Sequence, residues 1–216
     1  MSDVLNPIED YLAGVDLLDA PGAVLYSGIE TVTPGPVYLL GLNPGGSGSD
    51  TLRASLGASR SGNNAYLDEE WEPAGRRRPK GRSTLQRRVQ HLCAAMGLDT
   101  RRVPASNLAF TRSTRLGAHL DFDAAVRRCA PVHAMLLDVI QPRFLMTFGA
   151  LGNVAKAATI VSVEHCRADH GEWQAHRGVV RWGEREMAFG NVPHLSLWAG
   201  DKRPAVVEWA IAPLRG

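Results

Sequence analysis

Apolar positions along this chain fall either into short unbroken runs or into stretches with helical spacing. Val37-Tyr38-Leu39-Leu40 is a near-continuous apolar run, the pattern of a central strand covered on both faces. Val103 to Phe110 and Arg143 to Phe148 repeat it as a second and a third strand. Between them the spacing is helical. Ile8, Tyr11, Leu12 and Val15 share a face behind Asn6 as cap and Pro7, which predicts a helix over 6–19. Leu85, Val89, Leu92 and Ala95 do the same between Ser83, a ready N-cap, and Gly97. Asp121 or Asp123 caps a long helix through Ile140; Ala150 to Ala158 and Pro204 to Leu214 read as further helices. Gly178 to Trp182 and Arg185 to Phe189 read as a hairpin turning at Gly183-Glu184, with short strands at Ala23 to Tyr26 and Ile160 to Glu164.

Strands alternating with helices give an α/β fold, a three-layer α/β/α domain with a short, mainly parallel four-stranded central sheet. Residues 1–216 form one domain, and a long arginine-rich loop spans about 46–82, rich in Gly, Ser, Asn, Pro and Arg. No apolar run is long enough to cross a membrane, and the first residues lack the basic start and apolar core of a signal peptide. A cytoplasmic monomer is the expectation. Cys93, Cys129 and Cys166 are scattered, which excludes a disulfide framework and a CxxC-type metal site.

Charge changes this picture in one place. The net charge is only +2, yet Arg76, Arg77, Arg78, Lys80, Arg82, Arg87 and Arg88 crowd one window. Such a cluster suits a polyanion such as nucleic acid, and equally a solvated loop.

The candidate chemistry sits where the first strand meets its loop, GLNPGGSG at 41–48. Ligands of open α/β sheets bind at the carboxyl ends of strands. The loop lacks the Lys and hydroxyl of a phosphate-binding GxxxxGK[ST], and the chain has no GxSxG nucleophile elbow. Three polar residues follow predicted strands: Asn43, Asn107 and His194. Singly, each has a plain structural reading: Asn43-Pro44-Gly45 as a sharp turn, Asn107 as a loop cap, His194 as a satisfied histidine.

Jointly, GLNPGGSG, SNLAF at 106–110, FLMTFGA at 144–150 and NVPHLSLWAGD at 191–201 resemble, in order, the motifs of the uracil-DNA glycosylase superfamily. DHGEW at 169–173 resembles a stretch preceding the closing motif in some branches. The resemblance implies a uracil-DNA glycosylase-like fold and a monofunctional DNA glycosylase of base-excision repair. Such an enzyme flips a deaminated base such as uracil out of DNA and hydrolyses its N-glycosidic bond, without metal or other cofactor. In this chain it implies Asn43 and His194 as catalytic residues, the first positioning water and the second donating to the leaving base. Gly41, Leu42, Asn107 and Tyr66 would hold the base. Gly45, Ser47, Arg112, Ser196, Leu197, Trp198, Lys202 and Arg203 would contact DNA, with Leu197 or Trp198 filling the vacated stack. The sequence departs from the family in three ways. No aromatic precedes Tyr66 after the first motif, so Tyr66 or Trp71 takes the stacking place; Leu195 replaces a proline; and the arginine-rich segment at 71–88 has no counterpart. A non-catalytic nucleic-acid or nucleotide binder of the same fold and a small nucleotide hydrolase are the alternatives.

Overall fold

The structure is a computed structural model that describes residues 3–46, 48–114 and 116–216. Its centre is a six-stranded sheet in the order β2-β1-β3-β6-β5-β4. The strands are β1 (Val37–Gly41), β2 (Ala105–Asn107), β3 (Phe144–Phe148), β4 (Thr159–Arg167), β5 (Gln174–Trp182) and β6 (Arg185–Val192). β2, β1, β3 and β6 run parallel, so the expected four-stranded parallel unit is present. β5 and β4 extend it as an antiparallel hairpin. The expected sheet of four strands is therefore corrected to six. The expected hairpin of Gly178–Trp182 with Arg185–Phe189 is present as β5 and β6, and the expected strand at Ile160–Glu164 as β4. What the sequence did not show is their length and their place in the central sheet, because β4 is exposed along most of its length, with no clean apolar alternation.

Helices cover both faces. On one side lie α1 (Asn6–Gly14), α2 (Leu52–Arg60) and α4 (Phe122–Ile140); Leu12, Leu56, Val132 and Leu136 pack there against Tyr38, Leu40 and Leu145. On the other side α3 (Thr84–Ala95) and α6 (Pro204–Ile211) place Val89, Leu92, Val207 and Ile211 against Val37, Leu39, Phe144 and Met146. Alternate residues of β1 and β3 thus feed opposite cores, which is why both strands read as unbroken apolar runs. A short α5 (Leu151–Val154) follows β3.

Local chemistry sets the ends of these elements. Ser83 and Gln86 form a capping box on α3, and the Asp121 side chain accepts from Ala124 N at the start of α4. Leu5, not Asn6, occupies the cap position of α1; Asn6 Oδ1 instead accepts from Arg60 at 3.0 Å. That helix stops at Gly14 because Asp16 turns into the left-handed region, φ 52°. Residues 23–26 form only one isolated bridge, Leu25 to Ser106, and no strand. The segment 46–82 is not one long loop: Thr51 caps α2 within it, and Leu52 and Leu56, one turn apart, are buried. Its Ser and Gly content masked this helix, which is stabilised by packing rather than propensity. No helix among the described residues is long and apolar enough to cross a membrane.

Candidate active site at the strand carboxyl ends

Gly41 and Asn107 close β1 and β2 and stand opposite each other in the ladder. A Cβ on Gly41 would overlap the Asn107 Oδ1 and come within 3.0 Å of Phe148 Cζ. The Asn107 side chain therefore lies across the bare Gly41 backbone, next to the end of β3. It is 5% exposed. The phenol of Tyr26 lies near this side chain; burial pushes that phenol up to about 12, and the nearby Arg112 charge works against the shift. At pH 7 it is a neutral O–H group beside the Asn107 amide.

Asn43 lies two residues beyond β1. Its Nδ2 donates to the Pro44 carbonyl at 2.9 Å and to Ser113 Oγ at 2.8 Å. Two donors on one nitrogen fix the plane of the amide and leave the carbonyl Oδ1 as its acceptor. The Ser113 backbone N–H also donates to Pro44 O, at 3.0 Å, so the loop after β2 and the loop after β1 are tied together at this point. Gly149, at φ +117°, supports the arrangement from below, since a Cβ there would meet the Leu42 side chain.

His194 follows β6. Its ring packs edge-on against Phe148, centroids 5.6 Å apart. The Ser196 backbone N–H donates to Nδ1 at 3.3 Å, and Ser196 Oγ lies 2.7 Å from the same nitrogen. Nδ1 is thus the acceptor, and in the neutral ring Nε2 carries the proton. Burial lowers the His194 pKa from 6.5, so the ring is neutral at pH 7. The Leu197 and Trp198 amides both donate to the His194 carbonyl at 2.9 Å and close a tight turn behind the ring.

A further brace comes from α3. Arg88 donates to the Leu195 carbonyl at 2.7 Å and approaches Asp201 at 3.6 Å. Leu195 itself is 2% exposed and is buried in the core on the α3–α6 side. A buried leucine and an arginine clamp therefore hold the stretch next to His194. Below the site, Asn191 donates to Thr147 Oγ1 at 2.9 Å and to the Gly149 carbonyl at 3.1 Å, and its Oδ1 faces His176 Nδ1 at 3.1 Å. These bonds lock the ends of β3 and β6 to one another.

Several expected contacts are corrected. Tyr66 is 2% exposed and packs among Val89, Leu92 and Cys93, so it presents no face to a base. Tyr26 stands closer to the site, touching Tyr66 at 5.4 Å and Trp71 at 6.1 Å between ring centroids. Trp198 is fully buried, with its indole N–H donating to the Ala168 carbonyl at 2.8 Å, and cannot act as a wedge. Leu197, its neighbour, is 67% exposed. The Leu42 side chain points into the core, which leaves only its backbone for a ligand. Arg203 is committed to the Asp169 and Ala199 carbonyls and stacks over Trp198. Arg112 donates to the Gly45 carbonyl at 2.6 Å and braces the glycine loop; its Nε is buried without a partner among the described residues. Gly45, Ser196 and Lys202 are exposed at this end of the molecule, and Ser47 lies outside the described residues.

Sequence reasoning passed over Tyr26, Phe148 and Arg88 as site residues, and took Ser113 only as part of a polar loop. Tyr26 precedes β1 and reaches the site by pairing beside β2, a contact that no linear spacing announces. A cleft of about 580 Å³ lined by Thr111–Thr114 and His119–Asp121 opens beside Ser113. Among the described residues no group of three or more His, Cys, Asp or Glu is placed to hold a metal ion. No family model matches the chain, and no curated protein matches it.

Proposed function

We propose that this chain is a DNA glycosylase-like hydrolase acting on a deaminated base such as uracil, flipped out of DNA. The observation that carries the reading is the linked set at the strand ends: His194 against Phe148, Phe148 against Gly41, and Asn107 laid across Gly41, with Asn43 two residues on. The groups in it match the demands of N-glycosidic hydrolysis. The C1′–N bond breaks as water adds to C1′, and negative charge develops on the departing base. Asn43 Oδ1 accepts from water and holds it toward the sugar, catalysis by position rather than by basicity. The neutral His194 donates Nε2–H to a base oxygen as charge grows there. Asn107 offers an acceptor and a donor to the base edge. Leu197 is the exposed apolar side chain placed to occupy the vacated stack.

The test is release of free base from single- and double-stranded oligonucleotides containing uracil, hypoxanthine or xanthine. Wild type should release base from at least one, and Asn43→Ala and His194→Ala should each slow release by about 100-fold or more. Because burial lowers the His194 pKa, the ring stays neutral further into acid than an ordinary histidine, and base release should hold through the ordinary histidine range. Salt-dependent DNA binding with no base release from any substrate would replace the enzyme by a binding protein.

A further inference from the structure

The arginine-rich segment is built, not slack. Gln86 of α3, fully buried, donates to the Ala65 and Glu69 carbonyls at 2.8 and 2.9 Å. Gln90, one turn later, donates to Tyr66 O and Gly81 O at 2.7 and 2.9 Å. The chain doubles back so that Arg78 N donates to Trp71 O at 2.8 Å, and Gly81 turns through φ +67° against the Leu67 and Tyr66 carbonyls. On this stapled frame Arg76, Arg78, Arg82 and Arg87 are all exposed. Among the described residues none of the four has an ion-pair partner, whereas neighbouring Arg77 is paired with Glu70. Like charges gathered on one short segment repel one another at a free-energy cost that salt screens. An ordered scaffold that holds these four arginines without an ion-pair partner among the described residues is preorganised for an external polyanion, because the ordering cost is met before binding.

Position gives the polyanion. At one end of the segment Trp71 touches Tyr26, which meets Asn107. At the other end Arg88 holds Leu195, next to His194. The basic surface therefore flanks the candidate site from the α3 side.

We infer that Arg76, Arg78, Arg82 and Arg87 form a second contact surface for the phosphate backbone of duplex DNA, outside the base pocket. This rests on the reading of the site as DNA-directed, and it assigns the affinity to a segment that has no part in the chemistry. Phosphate contacts of this kind release counterions and set the salt dependence of binding.

The experiment measures affinity for an undamaged duplex oligonucleotide across a salt series, in parallel with base release by wild type. Arg76→Gln/Arg78→Gln/Arg82→Gln is compared with Arg127→Gln/Arg143→Gln/Arg185→Gln, which removes the same charge from elsewhere on the surface. The first triple should flatten the slope of log K against log salt by roughly 2 to 3, about 0.9 for each phosphate that is no longer neutralised. The second should leave the slope near wild type. Equal effects from both triples, or no effect from either, overturn the second surface while base release stands or falls separately. Absence of any duplex binding by wild type overturns it as well.

Discussion

At the scale of single residues, the buried histidine of α4 ties the core to the strand ends. His133 is fully buried. Its Nε2 faces the Leu108 carbonyl at 3.3 Å, so that nitrogen carries the proton, and Nδ1 accepts from the Tyr38 hydroxyl at 3.0 Å. The ring joins α4 to β1 and to the segment just after Asn107. Burial lowers its pKa from 6.5 to about 4. The sign follows from linkage: between those values the unfolded chain binds a proton that the folded chain does not. The contribution is whole above about pH 6.5, declines as pH falls, and is gone near pH 4. A shift of this size corresponds to on the order of 3 kcal/mol. Urea midpoints measured from pH 7 to pH 4 should fall accordingly, and His133→Phe should flatten that profile while lowering stability at pH 7. His133 sits inside the helix predicted through Ile140, whereas His194 follows a predicted strand, but the sequence does not show what either ring touches. What separates them is the neighbour: a carbonyl and a tyrosine inside the core, against a serine turn at the surface.

At the scale of elements, α3 couples stability to the site. Its N-cap and its apolar face were legible in the sequence, since Ser83 and the Leu85-Val89-Leu92 spacing carry local meaning; Gln86 completes the cap as a capping box. Its outward business was not. Arg88 reads as one more charge in a basic run, yet its side chain is 19% exposed and bonds the residue after His194. Arg88→Met keeps the aliphatic stem and removes the hydrogen bond. Loss of that anchor leaves the His194 turn less fixed, so base release should slow about tenfold. Single-turnover kinetics at saturating DNA should show the loss in the chemical step, with affinity little changed. A loss confined to affinity would make Arg88 an ordinary phosphate contact instead. The same limit explains the missed α2: Leu52 and Leu56 define its buried stripe, but Ser55, Gly57 and Ser59 between and after them read as loop.

At the scale of the whole molecule, the parallel unit was legible because both faces of β1 and β3 are buried and their apolar runs are continuous. The pairing of β4 with β5 was not, because β4 has little to bury. Its Val161 and Val163 are 47% and 50% exposed on the outermost strand of the sheet, a place where open backbone groups invite pairing with another chain. A register shift between Ile160 and Ser162 and the charge of Glu164, ion-paired to Arg177 at 2.8 Å, interrupt that edge. Glu164→Val should raise light scattering on concentration or mild heating without altering base release. The polarity of the sheet has a practical side. The strands that carry Gly41, Asn107 and Phe148 all finish at one end, while the β5–β6 turn at Gly183-Glu184 is exposed at the other. A dye or surface tether attached at Glu184 would hang the molecule by its far end, so that an immobilised copy presents Asn43 and His194 to free solution.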